Sequence, residues 1–114
     1  MNIMGGELKM NASDKRIQNE PAEQIIIVFE EDCNRSASYI DGKQIGECEF
    51  SVSDNTWTIT HTGVRPEFGG RGIAKKLVLK VIEVARAKNA KIVPFCSYAD
   101  KLMTGKEEFK DVLN

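Results

Sequence analysis

Gly69, Gly70, Arg71 and Gly72, followed by Ile73-Ala74-Lys75-Lys76, form a stretch dense in groups that hold an anion. Glycines at 69, 70 and 72 remove the side chains that would keep a ligand from the backbone, and Ile73, Leu77, Val81 and Ala85 then recur at helical spacing. The first N–H groups of such a helix have no partner within it and lie at the positive end of its dipole, which suits phosphate. Arg71, Lys75 and Lys76 add positive charge in the first turn, where cations otherwise oppose the dipole. The expected chemistry is a pyrophosphate cradle. Two common phosphate motifs fail here: no window supplies a Walker ending, and the third glycine position of a dinucleotide fingerprint falls on Lys75.

Two further side chains invite chemistry. His61 is the only histidine, a residue type that titrates near neutral pH and serves as a base, although a satisfied histidine at the core margin is the competing reading. Cys96 would precede a short helix, where the dipole favours thiolate; as a free cysteine it reads equally well as a small buried hydrophobe.

The elements that must position these groups read as a strand meander followed by a strand, helix, strand unit. Residues 1–20 are polar with no sustained period and read as a disordered lead, leaving 21–114 as one compact domain. Gln24 to Phe29 is a β-branched run, expected to be a strand covered on both faces. Arg35 to Ile40 and Lys43 to Val52 flank Asp41-Gly42, a strong hairpin signal, and a second turn follows at Ser53-Asp54-Asn55. From Thr56 the alternation places Trp57, Ile59 and His61 on one side, with Thr58, Thr60 and Thr62 on the other. A helix from about Gly72 to Lys88, stopped at Asn89, leads to a strand at Lys91 to Phe95, a right-handed parallel crossover. Ser97 to Met103 and Lys106 to Leu113 read as short C-terminal helices. The fold class is mixed α/β (α+β): a mostly antiparallel sheet ending in a β-α-β crossover, with the glycine loop at the strands' C-terminal ends, where such sheets bind ligands.

Composition bounds the functions. At 114 residues, 41% hydrophobic and 29% charged, the chain has room for one modest core, and a formal net charge of -1 gives no global case for nucleic acid. Positive charge still crowds the loop and its helix. Cys33, Cys48 and Cys96 are an odd set without metal spacing, which argues against a zinc site or disulfide framework and fits a reducing cytoplasm. No apolar stretch is long enough to cross a bilayer.

The order of several blocks resembles the GNAT superfamily of acyl-CoA-dependent acyltransferases, whose loop reads Gln/Arg-x-x-Gly-x-Gly/Ala, and within it a compact single-domain branch of YjdJ type. The chain carries His61-Thr62-Gly63-Val64, Pro66-Glu67, Gly72 to Leu77 and Pro94-Phe95-Cys96-Ser97-Tyr98 in that order. The first loop position falls on Gly69, where the superfamily often has Arg or Gln. The resemblance implies N-acetyl transfer from acetyl-CoA to an amine, with Gly63, Val64 and the residues 69–76 on the cosubstrate. It implies strands that splay to admit the pantetheine arm, and a backbone N–H near Gly63 or Val64 that stabilises the oxyanion. It gives Tyr98 the role of protonating the departing thiolate. Cys96 either takes the acetyl group or acts as a base, and direct attack needs neither. Full-sized members carry two helices between the first strands; here Glu30 to Ser36 leaves space only for a turn, so the acceptor side should be open to a peptide, a protein or a small polyamine, in a monomer or a dimer. The rival readings are a non-catalytic acyl-CoA-binding module and a nucleic-acid binder using the basic helix, the latter without the exposed aromatics of a single-strand binder.

Overall fold

The computed structural model describes residues 24–114, so the expected lead lies outside the described residues. Among them, five strands form one sheet: β1 (Ile26–Glu30), β2 (Arg35–Ile40), β3 (Lys43–Ser53), β4 (Thr56–Val64) and β5 (Lys91–Pro94). Helix α1 (Ile73–Ala87) links β4 to β5, and α2 (Ser97–Met103) follows β5. Sheet order follows chain order, antiparallel from β1 to β4 and parallel between β4 and β5. No described helix is long and apolar enough to cross a membrane.

The turns have local causes. Asp41 and Gly42 take φ of 50° and 78°, the left-handed pair that a two-residue hairpin requires. Asp54 and Asn89 also adopt positive φ, at the second turn and just beyond the end of α1. The helix buries Ile73, Leu77, Val78, Val81, Ile82 and Ala85, one stripe against the sheet. Ser36 on β2 donates its hydroxyl to the Leu77 carbonyl at 2.7 Å, fixing the helix over the middle strands. At the far end Phe29, Phe50 and Trp57 stack, with the Phe50 and Trp57 centroids 4.5 Å apart.

Three expectations need correction. The first concerns β1, where Ile26 and Val28 are 53% and 39% exposed while Ile25, Ile27 and Phe29 pack on the core. It is an edge strand covered on one face, because α1 covers that face and only the 3-10 turn Glu31–Cys33 joins β1 to β2. The second concerns β4: Glu49 pairs with His61 but Phe50 with Ile59, so Thr60 is a bulge residue. The extra residue reverses the alternation. Trp57 and Ile59 face the core, after which Thr62 and Val64 take that side and His61 turns to the opposite face. The third concerns the C-terminus, where a 3-10 turn at Glu107–Phe109 replaces a helix and Leu113 bridges Ile92. Arg86 grips Asp111 through Nε and Nη2 at 2.8 and 2.9 Å, tying this end to α1.

On β1 and β2, Glu30 accepts from the Tyr39 hydroxyl and from Arg35 Nε at 2.6 Å, and these bonds, the tyrosine's first, hold its carboxyl below the usual range. A carboxylate with a depressed folded pKa stabilises the protein above its unfolded value, and that contribution disappears as pH falls through the folded value. Glu30→Gln should therefore lower the unfolding midpoint by a few degrees at neutral pH. In a thermal melt series the two proteins should converge once the pH has fallen through the folded value, where wild-type Glu30 is itself protonated.

Candidate functional site

The parallel ladder between β4 and β5 covers only Thr56 to Ile59 against Lys91 to Pro94. Beyond that point β5 ends while β4 runs on to Val64, so one edge of Thr60 to Val64 has no strand partner among the described residues. Phe95 and Cys96 both donate backbone N–H to the Ile59 carbonyl, at 3.1 and 2.9 Å, and mark where the chains part. Arg65 N–H donates to the Ile45 carbonyl at 2.8 Å. Since N–H groups alternate along a strand, Gly63 N–H also points into the β3 ladder, whereas Val64 and Thr62 N–H point into the gap. Of the two backbone groups named from the sequence, Val64 is thus the one aimed at the opening; Thr62 is an addition the sequence did not reveal.

At the end of β4 the 3-10 turn Pro66–Phe68 leads into the glycine loop. Gly70 and Gly72 take φ of 77° and 76°, and a Cβ built on either would meet nothing within 4 Å, so the loop has open space beside its backbone. Gly72 is the N-cap of α1 and brings no side chain to its first N–H groups. A cleft of about 260 Å³ lies there, walled by Val64, Phe68, the three glycines, Ala74 and Tyr98. Arg71 stacks over the Phe68 ring at 5.2 Å, and Lys75 and Lys76 are exposed on the first turn. Ile73 differs: its side chain is buried in the core, leaving only its backbone to a ligand. A run of bare N–H groups with cations beside it fits a pyrophosphate. Arg65 pairs with Glu67 at 3.1 Å, so that carboxylate braces the loop entrance.

Tyr98, 38% exposed on α2, shares the loop's cleft. Cys96 is half-buried and caps α2, accepting Ala99 N–H on its sulfur at 3.3 Å. Thr62 Oγ1 stands 3.4 Å from Cys96 Sγ and donates to Cys48 Sγ at 3.6 Å. Either Thr62 Oγ1 or Cys96 Sγ can be the donor in their contact. Burial pushes the Cys48 thiol up to about 12, so this second sulfur stays protonated.

His61 does not join this group. It lies on the other face of β4, its Nε2 2.8 Å from Glu47 Oε2, while Gln44 Nε2 donates to Glu47 Oε1 at 3.2 Å. A cleft of about 390 Å³ opens over the pair, bounded also by Gly63, Val64 and Arg65. Val64 contributes to both clefts, so the last turn of β4 separates a glycine-loop side from a carboxylate–imidazole side. Glu47 was missed in the sequence; a glutamate in an alternating strand carries no mark of its cross-strand partner.

A family model described as GCN5-related N-acetyl-transferase matches residues 35–112. No curated protein matches the chain. Among solved structures, a GCN5-like protein from Staphylococcus aureus is 30% identical with a TM-score of 0.61, the alignment covering 82% of this chain and 90% of that one. The ribosomal-protein-S18-alanine N-acetyltransferase of Escherichia coli aligns over 60% of this chain and 46% of its own at 15% identity, TM-score 0.51, a likeness of fold. A GNAT-family acetyltransferase from Brucella melitensis, solved with acetyl-CoA, aligns over 60% of this chain and 50% of its own at 19% identity, TM-score 0.49.

Proposed function

We propose that this chain, which belongs to the GCN5-related N-acetyltransferase family, binds acetyl-CoA at its glycine loop and transfers the acetyl group directly to an amine. The observation that carries the reading is the pair of clefts meeting at Val64 beside the unpaired end of β4. The pyrophosphate rests on the N–H groups that open α1, with Arg71, Lys75 and Lys76 around it, and the pantetheine arm lies along the free edge of β4. Val64 N–H meets the thioester oxygen where negative charge develops. The amine attacks the carbonyl carbon, the C–S bond breaks, and the thiolate takes a proton, for which the Tyr98 hydroxyl is the donor in the same cleft.

Direct attack is favoured over an acetyl-cysteine because Cys96 already spends its sulfur on capping α2 and on Thr62. The exposed side of β1, joined to β2 by only a 3-10 turn, suits an amine presented on a peptide, a protein or a polyamine. The test is calorimetric titration with acetyl-CoA, then CoA release on adding spermidine or a lysine peptide. Saturable binding with amine-dependent release supports the reading. Binding without release identifies a non-catalytic acyl-CoA-binding module, and no binding at millimolar ligand removes the loop's assignment.

Cys96→Ser, which keeps a helix-capping atom, should retain turnover within about tenfold, since a positioned group of this kind contributes far more when it carries the chemistry. Abolished turnover in a folded Cys96→Ser protein would return the covalent route.

A further inference from the structure

Glu47, His61 and Gly63 form a single unit in the larger cleft. The carboxylate is held at both oxygens, by Gln44 Nε2 on Oε1 and by His61 Nε2 on Oε2. A Cβ at position 63 would stand 3.0 Å from His61 Nε2 and 3.1 Å from Glu47 Oε2, so the pair in this geometry would have to give by a few tenths of an ångström to admit any side chain there. With Nε2–H donated to Glu47, the proton-accepting nitrogen is Nδ1, and no other hydrogen bond of the ring occurs among the described residues. Half of the His61 side chain is exposed to the cleft.

We infer that Glu47 is the positioning residue for His61, and that together they admit the acceptor as an ammonium ion and turn it into the nucleophile. The inference rests on the acetyl-transfer reading. The ammonium gives one proton to His61 Nδ1, and the N–H electron pair stays on nitrogen as the attacking lone pair. The resulting imidazolium faces the Glu47 carboxylate, which stabilises the added charge, and it returns the proton to water once product leaves. The amine's second proton goes to the CoA thiolate through Tyr98, so the sum is ammonium plus thioester to amide, thiol and one released proton. Glu47 touches neither substrate; Gln44 acts one step further back, by fixing the carboxylate's rotation.

The experiment is a double-mutant cycle with Glu47→Gln, His61→Ala and the two combined, read as kcat and acceptor KM for CoA release, with acetyl-CoA titration of each protein as the check on folding. All three should bind acetyl-CoA within about twofold of wild type, because the pair lies across β4 from the loop. His61→Ala should lower kcat by about 100-fold, the usual worth of a positioned base, and Glu47→Gln by at least about tenfold. The double variant should fall no further than His61→Ala, since a residue that acts through another adds nothing once that one is gone. Additive losses, an unchanged kcat in Glu47→Gln, or a change confined to acceptor KM would each overturn the inference while leaving acetyl transfer in place. A wild-type protein with no amine-dependent release overturns the transfer reading and this inference together, and it does so before any variant is made.

Discussion

Gly72→Glu is expected to weaken acetyl-CoA binding by about 30-fold or more, close to 2 kcal/mol, in a protein that still folds. Gly72 is the N-cap of α1 at φ 76°, and a Cβ there points into open space. The new side chain therefore leaves the backbone without a clash at its Cβ; it extends into the volume assigned to the pyrophosphate and sets a carboxylate against it. Left-handed backbone costs a non-glycine residue about 1 kcal/mol of stability, and that cost needs separating from any loss of affinity. Gly105→Glu supplies the control. It has φ of 80°, equally open surroundings and a place in the turn after α2, away from the loop. Both variants should lose similar stability in a denaturant titration, and only Gly72→Glu should lose the ligand. Equal affinities in the two would remove the pyrophosphate from the glycine loop.

The parts of the molecule legible in the sequence were those set by neighbouring residues. Asp41-Gly42 names its own turn, the stripe from Ile73 to Ala85 names its own helix, and Asn89 ends that helix within the stretch that signals it. The open turn into α1 was legible because three glycines in four residues leave its backbone bare. What stayed hidden depends on register. Thr60 is flanked by threonines at 58 and 62, so no change of residue type marks the bulge that turns His61 away from Ile59. A second irregularity pairs Ser38 with Gly46 but Tyr39 with Gln44, leaving Ile45 as the extra residue of β3. The contact between Glu47 and His61 follows from how β3 and β4 are phased past these bulges, and local periodicity carries no such information. The same phase decides that Val64 N–H faces the gap while Gly63 N–H serves the ladder. The exposed side of β1 was likewise illegible, because an apolar run reads alike whether one face or two is covered.

That dependence on register predicts where a single methyl group does most damage. Gly46 on β3 lies between β2, β4 and α1, opposite Val64, and a Cβ built there would sit 2.8 Å from Ser38 Oγ, 2.9 Å from the Gly63 carbonyl oxygen and 3.2 Å from Leu77 Cδ1. The leucine can change rotamer and the serine hydroxyl can rotate, but the Gly63 carbonyl is part of the β3–β4 ladder. Gly46→Ala must therefore push the strands apart at the residue that precedes Val64. Overpacking of this kind costs about 2 kcal/mol, read as a lower midpoint in denaturant at unchanged slope. Ser38→Ala tests the assignment from the other side. Its hydroxyl is fully buried without a hydrogen-bond partner among the described residues, so removing it should leave stability unchanged or slightly higher. Combined with Gly46→Ala it should recover less than half of the loss, because the backbone contact remains. Displacement of Gly63 also moves Val64 N–H and spreads the Glu47–His61 pair, whereas the glycine loop is untouched. Turnover should accordingly fall by more than tenfold while acetyl-CoA still binds, the opposite of the result expected at Gly72. Full recovery of stability by Ser38→Ala would mean that the hydroxyl alone was the obstacle, and that the end of β4 is more pliable than its ladder implies.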